Sequence, residues 1–156
     1  MPVKTVLFVC YGNIARSLMA EGYLKKVASE HNLKVQVLSA GLNARGLPPT
    51  RETLEIMKRE HIDLSNRTAR QLTRELLEQA DLVLAMEEVH KKAILFYYPH
   101  LKSKVFVLKE FAGKIEDLDT QDPYGKNIKV YEARYEEIKS SILKSFGKTV
   151  KFLGAD

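Results

Sequence analysis

Short apolar runs alternate along the chain with longer segments in which apolar side chains recur every third or fourth position. Residues 6–9 form a continuous apolar, β-rich run, which is typical of a strand buried on both faces. Comparable runs at residues 35–38, 81–85 and 105–108 predict three more strands. The sequence therefore predicts four short strands separated by longer connections.

Helical spacing follows each of these strands. Met19, Tyr23 and Val27 recur every fourth residue, as on one face of a helix. The predicted helices lie at residues 17–29, from Pro48-Pro49 to Glu60, from a Thr73 cap to Leu77, at residues 89–96, and in a C-terminal segment marked by Tyr131, Tyr135, Ile138 and Ile142. Strands that alternate with helices indicate an α/β fold, in which helices cover both faces of a parallel sheet.

The composition fits one domain over residues 1–156. Apolar residues make up 45% of the chain and charged residues 29%, as in an ordinary soluble globular protein. No apolar run approaches the ~18 residues that a membrane span needs, and the N-terminal residues do not resemble a signal peptide. We therefore expect a cytoplasmic protein without a membrane partner.

The formal net charge of the chain is +5. This charge suits an anionic ligand, but it is also ordinary for a surface rich in Lys and Glu, and the second interpretation is preferred. The basic residues are dispersed, and no arginine-rich stretch has interleaved aromatic residues, so a nucleic-acid partner is not expected. The sequence does not give the oligomeric state.

The chain has a single cysteine, Cys10. One cysteine excludes an internal disulfide and a cysteine-rich zinc site. No cofactor is expected. Composition alone favours a small buried filler for such a residue. However, Cys10 directly follows the first predicted strand, and ligands of parallel sheets bind beyond the carboxyl ends of the strands.

Residues 10–17, with the sequence CYGNIARS, join this strand to the next helix. Such a turn points several backbone N–H groups into one concavity, and the helix N-terminus adds positive potential, so the turn favours a phosphate. Gly12 and Asn13 are the residues best able to adopt left-handed backbone angles there. Arg16 can close the loop with a planar fork that grips two phosphate oxygens.

The same surroundings favour a reactive thiolate at Cys10, because helix N-termini and a nearby Arg stabilise one. A thiolate can attack phosphorus in line with the leaving oxygen, and the Ser17 hydroxyl can donate a hydrogen bond to the sulfur. Taken singly, Cys10 also fits a packed core thiol, Arg16 a solvated helix residue and Ser17 a helix N-cap. A Cys-x5-Arg spacing alone is weak evidence for a phosphate-binding loop. The strand before and the helix after the motif favour the functional interpretation.

A general acid is needed to protonate the leaving oxygen. Asp122 is the preferred candidate, because it begins the sequence Asp-Pro-Tyr-Gly after the fourth strand, at the ligand-binding edge. A plain surface turn is the alternative for this segment, and Asp117 and Asp119 are competing acids. Tyr124 and Tyr131 are predicted either to wall a pocket for an aromatic substrate or to serve packing alone.

Six short motifs occur in the same order as in the low-molecular-weight protein tyrosine phosphatases. They are CYGNIARS at 10–17, SAG at 39–41, GLPP at 46–49, ARQL at 69–72, MEE at 86–88 and DPYG at 122–125. The chain resembles this family over nearly its whole length. The resemblance implies a single domain with a four-stranded parallel sheet, helices on both faces, a phosphate-binding loop after strand 1, and no metal.

The resemblance also implies a role for each matching residue. Cys10 matches the nucleophile, Arg16 the phosphate clamp and Asp122 the general acid, while Asn13 and Ser17 match residues that hold the loop and the thiolate. The residues expected to bind phosphate or substrate are Tyr11, Gly12, Asn13, Ile14, Ala15, Ser17 and Tyr124.

The chain departs from the family pattern at three places. Many members carry a second cysteine at the position of Ala15 and a proline at that of Leu18. Relatives often have a histidine just before the Ala-Arg-Gln stretch, where this chain has Arg67-Thr68. A supporting hydrogen bond to the loop is therefore in question, although every reacting group is present.

The expected activity is hydrolysis of phosphotyrosine in a phosphorylated protein, or of a small aryl phosphate, through a phosphocysteine intermediate. A protein-arginine phosphatase is one alternative, although relatives with that preference tend to carry Thr at the position of Ile14. An arsenate reductase is disfavoured, because its disulfide relay needs further cysteines. A phosphocysteine carrier or binding module is disfavoured as well, because it needs neither Arg16 nor Asp122.

Overall fold

The structure, a computed structural model, describes residues 2–154. Within this range one parallel sheet contains the strands β1 (Lys4–Cys10), β2 (Val35–Gly41), β3 (Leu82–Ala85) and β4 (Val105–Val107). The strand order in the sheet is β2-β1-β3-β4. The α-helices in the same range are α1 (Arg16–Glu30), α2 (Arg51–Arg59), α3 (Arg74–Gln79), α4 (Glu88–Tyr97), α5 (Leu108–Phe111) and α6 (Ile128–Phe152). A 3-10 helix (Pro99–Lys104) precedes β4.

Alternate residues of β1 pack against helices on opposite faces of the sheet. Val6 and Phe8 belong to a core that includes apolar residues of α1, α2, α5 and α6. Leu7 and Val9 belong to a second core, with apolar residues of α3 and α4. Because both faces are covered, the successive residues 6–9 of β1 are all apolar. The predicted α/β architecture, a four-stranded parallel sheet with helices on both faces, is confirmed.

The start of α2 differs from the prediction. The helix begins at Arg51, not at Pro48-Pro49, and Thr50 caps it by accepting a hydrogen bond from Thr53 N (3.4 Å). Thr50 N donates to Ile14 O (3.1 Å), so the residues before α2 are tied to the loop that follows β1. The two prolines precede the cap, and they lead into the helix from outside it.

The end of β4 also differs from the prediction. Leu108 begins α5 instead of ending the strand, because the Glu110 carboxylate accepts a hydrogen bond from Val107 N (3.0 Å) and caps the first turn. The predicted cap at Thr73 is correct: its hydroxyl accepts from Leu76 N (3.2 Å) at the start of α3.

The C-terminal helix, α6, spans 25 residues. The residues that marked it in the sequence, Tyr131, Tyr135, Ile138 and Ile142, are all buried on one face. Within residues 2–154, no helix has both the length and the apolar character needed to cross a membrane.

The carboxyl ends of β1 and β2 meet at one edge of the sheet. Cys10, the last residue of β1, is paired in register with Gly41, the last residue of β2. A Cβ atom on residue 41 would lie 2.7 Å from Tyr11 O, so the loop after β1 approaches β2 closely enough to require glycine there. This close approach brings residues 10–15 into contact with the segment that follows β2.

Candidate active site

Cys10 lies at the floor of the loop that joins β1 to α1. Its Sγ atom is 2.9 Å from Ser17 Oγ and accepts a hydrogen bond from Asn13 N (3.2 Å). Asn13 adopts a left-handed backbone conformation, with φ at 56°. The sequence predicted such a conformation for Gly12 or Asn13, and Asn13 alone adopts it, because its side chain is anchored below the loop.

The Asn13 side chain is buried and makes three hydrogen bonds. Its Nδ2 donates to Ser17 Oγ (2.7 Å) and to Ser39 Oγ (3.0 Å). Its Oδ1 accepts from Arg70 N (2.8 Å). Both N–H groups of the amide are therefore used, and the Ser17 hydroxyl, which accepts from Asn13, has its own hydrogen free for Cys10 Sγ.

A buried carboxylate lies on the far side of this network. Ser39 Oγ donates to Glu21 Oε1 (2.7 Å), and Arg67 Nη2 donates to the same oxygen (3.0 Å). Arg67 Nη1 and Lys25 Nζ bind the other oxygen of Glu21. Burial raises the pKa of Glu21, but the hydrogen bonds from Arg67, Lys25 and Ser39 outweigh it, and the net shift is downward. The supporting interaction that the sequence left in question is thus made by Arg67, through Glu21 and Ser39.

The Arg16 side chain is 2% exposed, and its guanidinium is held from two sides. Its Nη1 contacts the Glu87 carboxylate and donates to Thr120 O (2.8 Å). Its Nη2 lies 3.6 Å from Asp122 Oδ2. Thr120 N donates to Met86 O (2.8 Å), so the loop that carries Asp122 is tied to the end of β3.

His90 lies behind Glu87, in the first turn of α4. Its Nδ1 accepts a hydrogen bond from Glu87 N (3.1 Å). Burial, followed by the nearby charge of Arg16, lowers the pKa of His90 to about 4. A neutral imidazole is therefore present at neutral pH, and it leaves Glu87 to balance the charge of Arg16.

The three candidate acids occupy different environments. Asp122 lines the cavity above Cys10, and its Oδ1 accepts from Tyr124 N (3.0 Å). Asp119 Oδ1 accepts from Glu88 N (2.8 Å) at the start of α4. Asp119 and Asp117 line a different surface depression and do not border the cavity above Cys10.

The cavity above Cys10 has a volume of about 310 Å³. Its lining consists of residues 10–16 together with Asn43, Arg45, Leu47, Asp122 and Tyr124. All the predicted site residues border it except Ser17, which lies beneath Cys10. Tyr11 and Tyr124 are 53% and 62% exposed, and they flank the opening.

Tyr131 does not contribute to this cavity. It is 1% exposed and belongs to the core beneath the sheet, so the prediction that it walls the pocket is wrong. The spacing of Tyr131, Tyr135 and Ile138 along α6 places all three on the helix face that packs against α1 and α2. Packing, the alternative interpretation, is the correct one for this residue.

Residues 5–152 match the model of the family described as low molecular weight phosphotyrosine protein phosphatase. The chain belongs to this phosphatase family. It is 37% identical to a protein-arginine-phosphatase of Bacillus subtilis (strain 168), over 94% of this chain and 96% of that protein.

Solved structures of this phosphatase family share the fold closely. The low molecular weight protein tyrosine phosphatase of T. tengcongensis superimposes with a TM-score of 0.87, at 39% identity, over 93% of this chain and 99% of that one. A cysteine-to-serine mutant of YwlE arginine phosphatase, with a phosphorylated active-site serine, gives a TM-score of 0.86 at 36% identity, over 94% and 95% of the two chains.

Sequence analysis of this phosphatase missed the residues that support its loop. Two contacts were not predicted because their partners lie far apart in the sequence. Glu21 and Arg67 are 46 residues apart, and Arg16 and Glu87 are 71 residues apart. One signal was available for Glu21. It follows Ser17 by four residues in a helix, so the two side chains share a face, and a charged residue among the buried residues of α1 needs a partner.

Proposed function

We propose that this protein hydrolyses phosphotyrosine in phosphorylated proteins through a phosphocysteine at Cys10, without a metal. One observation carries this proposal: the Cys10 sulfur lies at the floor of a cavity that Arg16 and Asp122 also line. A phosphoryl group bound above Cys10 meets the Arg16 fork and the loop N–H groups, which supply the positive charge that the transferring group needs. Residues 1–156 are proposed to form one catalytic domain.

In the first step, the Cys10 thiolate attacks phosphorus. The new S–P bond forms as the P–O bond to the tyrosine oxygen breaks, and Asp122 gives its proton to that oxygen. Asn13 N and Ser17 Oγ both lie within hydrogen-bond distance of the sulfur, and each favours its anionic form before the attack.

In the second step, water attacks phosphorus and the S–P bond breaks. Asp122, now a carboxylate, takes a proton from the water, and the electron pair of the broken bond returns to Cys10. The hydrogen bond from Ser17 again stabilises the thiolate that leaves. The products are inorganic phosphate and the enzyme in its starting protonation state.

The walls of the cavity favour an aromatic leaving group. Tyr11, Ile14, Leu47 and Tyr124 line the cavity above Cys10. Apolar and aromatic side chains of this kind pack well against a phenyl ring. The roles of Tyr11, Gly12, Asn13, Ile14, Ala15, Ser17 and Tyr124 in binding substrate or phosphate are part of the proposal.

Hydrolysis of phosphoarginine is the second candidate. It is favoured by the 37% identity to a protein-arginine-phosphatase. Two features of this chain favour phosphotyrosine instead: Ile14 lines the cavity, and Arg45 places a positive charge at its border, where a guanidinium leaving group would be repelled. We also infer a cytoplasmic location, because a sole cysteine that acts as a nucleophile needs a reducing compartment.

A panel of phosphopeptides tests this proposal. One peptide sequence is prepared with phosphotyrosine, phosphoserine or phosphoarginine, and phosphate release is measured with EDTA present. We expect multiple turnovers with phosphotyrosine and much slower release from the other two. Preference for phosphoarginine would establish the second candidate, and a single turnover without release would indicate a carrier module.

A further inference from the structure

The cavity lining includes two arginines, Arg16 and Arg45, and one carboxyl group, that of Asp122. The proposed reaction steps use Arg16 and Asp122, and Arg45 takes no part in them. Arg45 is exposed, and no carboxylate of residues 2–154 lies within 4 Å of its guanidinium. An unpaired guanidinium at the border of an anion-binding cavity is available to a second anionic group of the ligand.

The backbone on both sides of Arg45 is anchored to the site. Asn43 N donates to Tyr11 O (2.9 Å), and Asn43 Nδ2 donates to the Tyr11 hydroxyl (2.9 Å). Ala44 N donates to Gln71 Oε1 (2.9 Å). These hydrogen bonds fix the segment before Arg45 against the phosphate loop.

The segment after Arg45 is held as well. Leu47 O accepts a hydrogen bond from Ala69 N (2.8 Å), and Gly46, with φ at 67°, makes the turn between the two anchors. Arg45 therefore projects from a short, doubly held turn. Arg45 lines the cavity from the segment after β2, whereas Asp122 and Tyr124 line it from the loop after α5.

We propose that Arg45 is a specificity residue that binds a carboxylate flanking the phosphotyrosine, so that the enzyme prefers acidic phosphotyrosine sequences. This inference rests on the proposed phosphotyrosine activity. A phosphotyrosine ring that fills the cavity carries its peptide backbone out at the border, where Arg45 meets the neighbouring side chains. Arg45 belongs to the segment after β2 and so reaches the cavity from one side, and the preference therefore applies to one flank of the phosphotyrosine.

The expected size of this preference is modest, because the pair is exposed to water. Exposed ion pairs change an equilibrium by about two- to five-fold. The preference also depends on salt, since the Debye length falls from about 30 Å at 0.01 M to about 3 Å at 1 M ionic strength.

Four phosphotyrosine peptides test the proposal in low salt. They carry a pair of Glu before the phosphotyrosine, a pair of Glu after it, a pair of Lys on both sides, or Ala throughout. The ratio of kcat/KM between peptides is compared for the wild type, Arg45→Ala and Arg45→Glu. Arg74→Glu is the matched control, because Arg74 is also exposed but does not line the cavity.

We expect the wild type to prefer one Glu peptide to the Lys peptide by about two- to five-fold. The ratio falls to near one in Arg45→Ala, inverts in Arg45→Glu and is kept in Arg74→Glu. If the Glu-to-Lys ratio of kcat/KM is the same in the wild type and Arg45→Glu, and the Ala peptide is still hydrolysed, the role of Arg45 is overturned. The proposed phosphotyrosine activity would then still stand. Failure to hydrolyse any of the four peptides would overturn the phosphotyrosine activity itself.

The wild type provides a second test that needs no variant. Its preference for the Glu peptide is measured again in about 1 M salt, where we expect it to disappear while the Ala peptide is still hydrolysed. A preference that persists unchanged in high salt would contradict recognition by the Arg45 charge.

Discussion

Glu21 and Arg67 form a two-point ion pair beneath the phosphate loop, with Arg67 Nη2 at 3.0 Å from Glu21 Oε1. Glu21 accepts from Ser39, Ser39 accepts from Asn13, and Asn13 donates to Ser17. An ionised carboxylate can only accept hydrogen bonds, so Ser39 donates to Glu21 and can only accept from Asn13. The other N–H of the Asn13 amide then points to Ser17, whose own hydrogen is left for Cys10 Sγ. The ion pair thereby supports a thiolate that neither of its members contacts.

The first prediction concerns the stability that this pair contributes. Removing one partner of a fully buried ion pair costs about 3–5 kcal/mol. Arg67→Ala is expected to cost less, roughly 1–3 kcal/mol of the free energy of unfolding, because Arg67 is a quarter exposed and Lys25 still binds Glu21. Urea unfolding measures the loss.

Arg59→Ala is the matched control for this experiment. Arg59 pairs with Glu132 through a comparable contact, but both side chains are close to half exposed. Its removal is expected to lower the free energy of unfolding by less than the removal of Arg67 does, because water screens the exposed pair. Equal losses of unfolding free energy in the two variants would contradict a larger contribution from the buried Glu21–Arg67 pair.

The second prediction concerns pH and His90. The pKa of this residue is about 4 in the folded protein and about 6.5 in an unfolded chain. As the pH falls, the unfolded chain therefore binds a proton at His90 before the folded protein does. The contribution of His90 to stability is complete above pH ~6.5 and is lost as the pH falls toward 4. Unfolding free energy is expected to drop by roughly 2 kcal/mol between pH 7 and pH 5 because of this group.

His90→Gln supplies the comparison. A glutamine side chain does not titrate in this range, so the variant is expected to lose less stability between pH 7 and pH 5 than the wild type. Each protein is compared with its own value at pH 7, which removes the effect of the substitution on packing. Parallel pH profiles for the two proteins would contradict the account of His90.

The third prediction identifies the general acid by leaving group. Asp122→Asn is expected to slow hydrolysis by about 10²- to 10⁴-fold for phenyl phosphate, whose leaving oxygen needs a proton. The loss is expected to be much smaller for p-nitrophenyl phosphate, whose phenoxide leaves readily. Steady-state kcat/KM values for a series of aryl phosphates measure this dependence, because kcat/KM reports the first step, whereas kcat also includes the second step, in which Asp122 acts on water.

Asp119→Asn is the control for the acid. The amide oxygen of an asparagine can still accept the hydrogen bond that Asp119 takes from Glu88 N, so the start of α4 is kept. We expect no change in the leaving-group dependence of this variant. The assignment is wrong if the dependence appears in Asp119→Asn and is absent from Asp122→Asn.

Sequence patterns predicted the local features of the fold and site well. The continuous apolar run of β1 and the Thr73 cap follow from short-range physics, and each has the predicted form. Asn13 is an example within the site, because an unusual backbone angle restricts the residue type locally. By contrast, the contact of Arg16 with Glu87 joins residues 71 positions apart, and only the packing of α1 and α4 beside the sheet brings them together.

One wrong prediction and one alternative that the sequence left open have local physical causes. Leu108 continues an apolar run, but the capping carboxylate of Glu110 turns the backbone into a helix one residue earlier than the run ends. Tyr131 and Tyr124 have the same chemistry, and burial separates them: Tyr131 continues the apolar stripe of α6, whereas Tyr124 lies in the turn after Asp122.

The phosphocysteine at Cys10 is the central claim, and trapping it is the most direct test. The enzyme is mixed with excess p-nitrophenyl phosphate, quenched in acid within milliseconds and digested, and the peptide that contains Cys10 is analysed by mass spectrometry and ³¹P NMR. We predict one phosphoryl group on the Cys10 sulfur, formed as fast as the burst of p-nitrophenol, and no steady-state turnover by Cys10→Ser. Full turnover by Cys10→Ser, or a burst without phosphate on Cys10, would contradict the mechanism.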